Sequence, residues 1–341
     1  MMMSWPWGSR RTSDEHLVVG STPDTLSWLL ADAGGRVHRC GLETRGDEPP
    51  ADFARRIRAL GLPTRQVAAV LDLPDAQLLQ IDTPAVKPEE MKSAARWRIK
   101  DLIDVRLDEV TLDVMHVGDA QARSKQKQLF VVAARNALIQ GLSRRLQASG
   151  LELSVIDVAE IAQRNLLGAA AAAAGLASRA TAALMRHGDQ ALLTICAQGE
   201  LYYARRLDWD DSGLAPASPT PAALAESIDA MDMAGLDFVD YGAADAAIDD
   251  VGAPRLVVEV QRSFDLWERS WPDLPLAGMW VHADDATDLL IAQLAPALLV
   301  PVQAMAPDAL FPGYAEAATT PALRRATLPL VGALQRFTAS A

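Results

Sequence analysis

Short apolar runs alternate with amphipathic helical segments along almost the whole chain, and this alternation constrains the fold more than any other feature of the sequence. Residues 16–20, 26–30 and 36–40 predict an opening β-meander, because each is a short apolar run and turn residues such as Gly34 and Gly35 separate them. Helical and strand patterns then alternate to the end of the chain. Such an order indicates an α/β protein with helices packed on sheets.

A smaller unit is predicted inside this alternation, between residues 80 and 155. Pro88 suits the first turn of an amphipathic helix, and Glu89 and Glu90 follow it where carboxylates favour a helix N-terminus. Residues 110–117 alternate between apolar and polar side chains, as a half-exposed strand does. The unit is therefore expected to be a small α+β insertion.

Further patterns outline the second half of the chain. Residues 159–174 are rich in alanine, which is typical of a helix that packs closely on a neighbour. Residues 182–197 and 200–207 predict two strands joined at Gln198-Gly199. The predicted domains are a flexible N-terminus at residues 1–15, a first lobe at 16–79 and 156–180, the insertion at 80–155, and a second lobe at 181–341 whose last helix is able to return to the first lobe.

Composition excludes several classes of protein. The formal net charge of −12 argues against a general nucleic-acid or anionic-membrane surface. No apolar stretch is long enough to span a membrane, so membrane association is expected only through a partner. With two cysteines, Cys40 and Cys196, the chain is expected to be cytoplasmic. The histidines lack metal-ligand spacing, so no metal site is expected. They are His16, His38, His116, His187 and His282.

Charge is distributed unevenly along the chain. Residues 205–285 contain 17 acidic and 5 basic residues, whereas all five lysines lie between residues 87 and 127. Two differently solvated lobes would explain this pattern, and so would a partner-docking face on the lysine-bearing unit. Trp97 lies among basic residues on the predicted insertion helix and is expected either to be partly core or to contact a partner. The candidate partner-binding residues are Lys92, Arg96, Trp97 and Lys100.

Seven short segments occur in an order and spacing that resemble a known family. They are EEMKSAARW at 89–97, VTLDV at 110–114, LFVVAA at 129–134, LQASGL at 146–151, VIDV at 155–158, EVQRSFDL at 259–266 and LVGALQR at 330–336. Together they resemble the PilM-type proteins of type IV pilus assembly over about residues 66–336. The resemblance is nearest to the MshI branch, from mannose-sensitive pilus biogenesis.

The resemblance implies an actin-like (ribonuclease-H-like) α/β fold of two lobes with a small inserted α+β subdomain. It also implies a cytoplasmic component that docks the N-terminal tail of an inner-membrane protein of the PilN type. The insertion and the first lobe would form the docking groove, and an extended or short amphipathic peptide is the expected ligand. In typical members of such a family, ATP lies between the lobes.

The first phosphate turn of such an ATP site departs from the pattern the family implies. An Asp-Ile-Gly-Ser turn would hold hydrated Mg²⁺ through its carboxylate. Here Val18 stands in the place of the aspartate, although Gly20 and Ser21 are retained. Thr25 stands where family members often have lysine. Gly20 and Ser21 are therefore interpreted as a remnant phosphate loop.

The other two loops depart in the same direction. Met185 occupies the acidic position of the second phosphate turn, and Asp189 could substitute only if the turn shifts. The adenosine loop carries Asp284 and Asp285 instead of the usual glycine pair, and two carboxylates repel a polyanion. Phosphoryl transfer depends on positioning and charge stabilisation, so these losses predict a pseudo-ATPase.

The sequence thus predicts a type IV pilus scaffold that binds a PilN-like tail, with no catalytic residues, no cofactor and no nucleic-acid partner. Two alternatives stay open. One is an active ATP-binding switch or ATPase of the same fold, which would hold ATP and Mg²⁺ with the help of Asp189. The other is a GspL-like cytoplasmic domain of type II secretion, although such proteins normally carry their own transmembrane segment.

Overall fold

The structure, a computed structural model, describes residues 15–118, 128–209 and 254–338. The strands are β1 (Glu15–Ser21), β2 (Thr25–Asp32), β3 (Val37–Thr44), β4 (Val67–Leu71), β5 (Ala76–Asp82), β6 (Val110–His116), β7 (Gln128–Arg135), β8 (Leu153–Val158), β9 (Ala180–His187), β10 (Gln190–Ala197), β11 (Glu200–Asp208), β12 (Leu276–His282) and β13 (Val302–Ala304). The helices are α1 (Pro50–Ala59), α2 (Met91–Arg98), α3 (Asn136–Ala148), α4 (Ala159–Ala173), α5 (Arg255–Ser270), α6 (Thr287–Ala297), α7 (Pro307–Leu310), α8 (Tyr314–Ala317) and α9 (Pro321–Thr338). Of the predicted flexible N-terminus, all but Glu15 lies outside the described residues.

Two five-stranded sheets share one topology. The first sheet has the order β3-β2-β1-β4-β8, and the second has the order β11-β10-β9-β12-β13. In each sheet the first three strands form an antiparallel meander, and the last two strands run parallel to the meander's first strand. This repeated arrangement, with helices on the sheets, gives the α/β fold two lobes built in the same way.

Helices α4 and α9 pack against each other and join the two lobes. Helix α9 contacts β1, β2 and β3 of the first sheet, whereas α4 contacts β9, β10 and β11 of the second sheet as well as β4 and β8 of the first. The helices cross at Gly332, where a Cβ atom would lie 2.0 Å from the carbonyl oxygen of Ala162. Only glycine permits so close an approach between the two backbones.

The third sheet, of order β5-β7-β6, forms the small insertion. One of its faces packs on α2 around a separate apolar cluster that contains Ala95, Ile99 and Val131. The opposite face carries Phe130, Met115 and Val132 and packs against the main core. The sheet is therefore covered by its own helix on one side and by the body of the protein on the other.

One sequence prediction about the second sheet is wrong. The single strand expected at residues 182–197 is two antiparallel strands, β9 and β10, joined by a tight turn at Gly188 and Asp189. Gly188 adopts a positive φ of 66°, which suits a tight hairpin. Apolar residues 182–185 and 191–193 lie on either side of the polar residues 186–190, and the long-strand prediction ran through this polar break. The correction places Asp189 in a turn and not within a strand.

None of the helices in the described ranges combines the length and apolar character that crossing a bilayer requires.

Candidate functional site

A cleft between the two lobes forms a cavity of about 370 Å³. The first lobe contributes Thr25 and Ser27 from β2 and Asp72 from the end of β4. The second lobe contributes residues of the β9–β10 turn and of the segment after β12. Thr25, Asp189 and Asp284, all assigned to phosphate or adenosine loops from the sequence, therefore line one cavity.

In the turn between β1 and β2, two backbone N–H groups donate to a side chain of the same turn. The hydroxyl oxygen of Thr22 accepts the backbone N–H groups of Asp24 (3.2 Å) and Thr25 (3.0 Å). The guanidinium group of Arg145, from α3, donates to the carbonyl oxygen of Ser21 at 2.9 Å. Phosphate-binding turns work by presenting free backbone N–H groups to the anion. Two such groups in this turn already have partners within the protein.

The two positions at which Mg²⁺-binding carboxylates were sought hold apolar side chains in the core. Val18 lies within β1 and is fully buried, and Met185 lies within β9 and is only 2% exposed. Across the described residues, no group of three or more His, Cys, Asp or Glu side chains is arranged to hold a metal ion. Neither Val18 nor Met185 can ligate Mg²⁺, because hard cations require oxygen ligands.

The second-lobe wall of the cleft contains a half-buried histidine that no sequence motif marks. His187 lies two residues after Met185, in the glycine position of an Asp-x-Gly turn, and its Nε2 lies 3.5 Å from Oε1 of Gln163. The amide of Gln163 donates to the carbonyl oxygen of Leu192 (2.9 Å) and to the hydroxyl of Thr194 (3.0 Å). The imidazole ring therefore occupies part of the cleft wall at the end of β9, next to the turn at Gly188.

Stability is expected to depend on pH through His187. Burial lowers the pKa of His187 to about 4, and the charges of His282 and Arg206 lower it further. The unfolded chain, with a pKa of 6.5 at this residue, therefore takes up the proton first as the pH falls. The free energy of unfolding should decrease between pH 6.5 and about pH 4 with a slope of about 1 kcal/mol per pH unit from this residue.

Urea unfolding measured from pH 7 to pH 4.5 checks this expectation. His187→Gln should flatten the pH dependence relative to the wild type. Equal slopes for the wild type and His187→Gln would contradict the assignment. His282 also has a lowered pKa from burial, so part of the slope should remain in His187→Gln.

An ion pair crosses the mouth of the cleft. Asp284 has a left-handed backbone (φ 50°), and its Oδ2 lies 2.8 Å from Nε of Arg325 on α9. His282 lies 3.8 Å from the same carboxylate. The repulsion of a polyanion predicted for two carboxylates is therefore weaker, because Asp284 is paired with a cation and only Asp285 of the two is exposed. The pair links α9, packed on the first sheet, to the second lobe.

Three residues of the cleft were missed from the sequence: Asp72, His187 and Arg325. Burial, together with the charge of Asp75, raises the pKa of Asp72. A signal for Asp72 existed, since it directly follows the buried parallel strand β4, and ligands bind at the carboxyl ends of such strands. No local pattern marks Arg325, because its partner is 41 residues away in the chain.

A second concave site lies between the insertion and the first lobe. This groove, hereafter the insertion groove, has a volume of about 540 Å³ and is lined by residues of β6, β8, α4 and α9. Met115, Val132 and Ile156 form an apolar part of its wall. Strands β6 and β8 each occupy the end of their sheet's order in the described part of the chain. Two strand edges therefore border one groove.

Charged pairs stand at both ends of the insertion groove. At one end Asp113 pairs with Lys92 at 2.8 Å. At the other end Arg336 lies 3.2 Å from the buried carboxylate of Asp157, and Arg164 lies 3.7 Å from Glu200. The apolar wall with polar ends is the composition expected for a peptide-binding groove.

The candidate partner-binding residues on α2 differ in their solvent exposure. Trp97 is 70% exposed, so the expectation that it is partly core is wrong, and Lys92 and Lys100 are exposed as well. Arg96 is only partly exposed, because its guanidinium group donates to the carbonyl oxygens of Leu107 and of Val110 (3.1 Å). These two bonds tie α2 to the start of β6. Lys92 also connects this surface to the insertion groove through Asp113.

Comparison with known proteins gives one family and several structural neighbours. Residues 51–210 match the family model described as type IV pilus assembly protein PilM. No curated protein sequence matches the chain. A solved PilM-PilN type IV pilus biogenesis complex aligns with a TM-score of 0.64 at 19% identity, covering 95% of this chain and 98% of that chain.

Two further solved structures resemble the chain. One is a protein from Bacteroides thetaiotaomicron with an actin-like ATPase fold and unknown function, with a TM-score of 0.50 and 8% identity, covering 95% of this chain and 96% of that one. The other is the cytoplasmic domain of EpsL, an inner membrane component of the type II secretion system of Vibrio cholerae, with a TM-score of 0.41 and 16% identity, covering 60% and 77%. The chain has the actin-like α/β fold predicted from its sequence, and its residues 51–210 match the PilM family of type IV pilus assembly proteins.

Proposed function

We propose that this protein is a scaffold of a type IV pilus assembly machine that binds the N-terminal tail of a PilN-like inner-membrane protein in the insertion groove. The family match over residues 51–210 and the fold shared with a PilM-PilN complex support this role. The partner would hold the protein at the cytoplasmic side of the inner membrane. The order and spacing of the seven sequence segments between residues 66 and 336 further support an MshI-like branch of the family.

The geometry of the insertion groove is the observation that carries this proposal. An extended peptide can add as a strand to an exposed sheet edge, where backbone hydrogen bonds give affinity and side-chain pockets give specificity. The groove offers the edges of β6 and β8 for backbone pairing, and Met115 and Ile156 for apolar contact. Trp97 on the neighbouring α2 supplies a second exposed contact for the partner.

We further infer that the interlobe cleft is a degenerate nucleotide site and that the protein is a pseudo-ATPase. Two observations support this inference. The Thr22 hydroxyl oxygen accepts two backbone N–H groups of the first phosphate turn. Val18 and Met185, at the positions of the expected carboxylates, are apolar and buried.

The second candidate is an ATP-binding switch of the same fold. Asp72 and Asp189 favour it, because both line the cleft and either could orient hydrated Mg²⁺ if the turns moved. A GspL-like role in type II secretion is the third candidate. The gene neighbourhood separates it from the pilus role, because pilus and secretion operons differ in content.

Binding of a synthetic peptide that spans the N-terminal tail of the PilN-like protein from the same genome tests the proposal. Met115→Asp places a charge on the apolar wall of the groove and is expected to weaken the peptide's Kd at least tenfold, about 1.4 kcal/mol. Leu102→Asp, at an exposed apolar position of the insertion outside the groove, is the matched control and should bind like the wild type. Fluorescence anisotropy gives both constants.

Two further arms complete the test. Trp97→Ala should weaken binding if the α2 surface takes part, and Ile156→Asp repeats the groove test should Met115→Asp fold poorly. Saturating Mg-ATP should change neither the Kd nor the thermal midpoint. A nucleotide at about 100 times its Kd would add about 2.7 kcal/mol and raise the midpoint by several degrees. Such a shift would favour the ATP switch, and unaltered binding by both groove variants would exclude the groove.

A further inference from the structure

The outer edge of strand β6 borders the insertion groove, and the direction of its backbone groups follows from the pairing with β7. The N–H group of Val117, just beyond β6, donates to the carbonyl oxygen of Gln128 at 3.0 Å. Because successive residues of a strand direct their backbone groups to opposite sides, the even-numbered residues of β6 direct theirs away from β7. On that side, the described part of the chain adds no further strand to the sheet.

Both ends of this outer edge are already bonded within the protein. At its start, the guanidinium group of Arg96 donates to the carbonyl oxygen of Val110 at 3.1 Å. Just beyond its end, the N–H group of Gly118 donates to the carbonyl oxygen of Leu201 on β11 at 2.9 Å. A strand that adds to β6 is therefore confined to the stretch between these two contacts.

In the middle of the edge, an aspartate covers a backbone donor. The N–H group of Val114 donates to Oδ1 of Asp113 at 2.8 Å. The same oxygen lies 2.8 Å from Nζ of Lys92 on α2. Both charged side chains are exposed, Asp113 by 68%, and an ion pair so exposed contributes little to stability. The carboxylate can therefore leave the N–H group of Val114 at a small cost in free energy.

The facing edge of the groove, on β8, carries a similar contact in a buried setting. The N–H group of Val158 donates to Oδ1 of Asp157 at 2.9 Å. The Asp157 side chain is only 2% exposed, and its Oδ2 lies 3.2 Å from the guanidinium group of Arg336. Moving this carboxylate off its cation would leave a buried charge unpaired, which is strongly destabilising. Of the two edges, β6 is therefore the one whose cover an incoming strand displaces readily.

Given the pilus-scaffold function proposed above, on which this inference rests, we propose that the PilN-like tail adds as a strand to β6 and not to β8. A carbonyl oxygen of the tail replaces the Asp113 carboxylate on the N–H group of Val114. Without the tail, Asp113 and Lys92 protect the edge from pairing with other strands, as charged side chains do at sheet edges. Asp113 thus gates the groove and does not hold the tail in it.

Fluorescence anisotropy with the synthetic tail peptide and the whole protein measures the effect of this cover. Asp113→Ala removes the cover and should lower the Kd of the peptide at least threefold. Asp113→Asn removes the charge but keeps an oxygen that can accept from Val114, so the Kd should fall by less than with alanine. Asp108→Ala is the matched control and should change the Kd less than twofold. Asp108 is an exposed aspartate of the insertion that pairs with Arg106 and lies outside the groove.

Amide hydrogen exchange of the wild type, with and without the tail peptide, identifies the edge and needs no variant. The N–H group of Val114 should exchange at least tenfold more slowly with the tail bound, whereas that of Val158 should be unchanged. Slowing at Val158 and not at Val114 overturns the inference but leaves the tail-binding function in place. A Kd that Asp113→Ala does not lower, or that both Asp113 variants lower equally, has the same meaning. Absence of tail binding by both the wild type and Asp113→Ala overturns the proposed function as well.

Discussion

Replacing Gly332 by alanine is expected to lower the free energy of unfolding by about 2–4 kcal/mol. A Cβ atom at this position would lie 2.0 Å from the carbonyl oxygen and 2.7 Å from the carbonyl carbon of Ala162 on α4. Both contacts are with backbone atoms inside a helix, which no rotamer change relieves. Helices α4 and α9 would have to separate, and α9 would lose contacts with the first sheet.

A second glycine on α4 supplies the control for this prediction. Gly168 lies on the same helix as Ala162, but a Cβ atom there meets nothing within 4 Å. Gly168→Ala should therefore be neutral or stabilising by up to about 1 kcal/mol, since alanine favours a helix interior. Urea unfolding of the two variants measures the contrast. A Gly332→Ala protein as stable as the wild type would show that the two helices do not cross as closely as the structure has them.

Local patterns were sufficient to predict the elements near which the sites lie. The period-2 alternation of residues 110–117 corresponds to β6 (Val110–His116), and the alanine-rich run at 159–174 corresponds to α4 (Ala159–Ala173). Burial of one face of a strand imposes such an alternation on the sequence directly. The substitutions at Val18 and Met185 were also visible, because a missing carboxylate needs no structure to be noticed.

Side-chain partners that are distant in the chain could not be predicted in this way. Arg96 has the helical position of an exposed residue, yet it binds carbonyl oxygens 11 and 14 residues further on. The predicted long strand at residues 182–197 was wrong for another reason: it gave the apolar residues more weight than the polar break at 186–190, which contains the Gly188-Asp189 turn. Periodicity reports which face of an element is buried, and it carries no information about which distant group a polar side chain reaches.

The buried pair of Glu160 and Arg206 gives the second large expected effect. Glu160, in the first turn of α4, is only 2% exposed, and its Oε1 accepts from the Arg206 guanidinium group of β11 at 2.7 Å. The same nitrogen donates to the carbonyl oxygen of Ala76, where β5 begins, at 2.6 Å. One guanidinium group thus links three elements: β11 of the second sheet, helix α4 and strand β5 of the insertion. Breaking it should affect the whole fold.

Arg206→Met is expected to lower the free energy of unfolding by about 3 kcal/mol, because it leaves the buried Glu160 carboxylate without its cation. The double variant Glu160→Met with Arg206→Met should recover most of that loss, since a buried ion pair can be replaced by apolar side chains at little net cost. The neighbouring Arg205→Met is the control: Arg205 pairs with the more accessible Glu259, 19% exposed, so its loss should be smaller. Urea unfolding of the wild type, Glu160→Met, Arg206→Met and the double variant gives the coupling energy. Purely additive losses would mean that the two charges stabilise the fold independently, and the three-way junction at Arg206 would then have no special role.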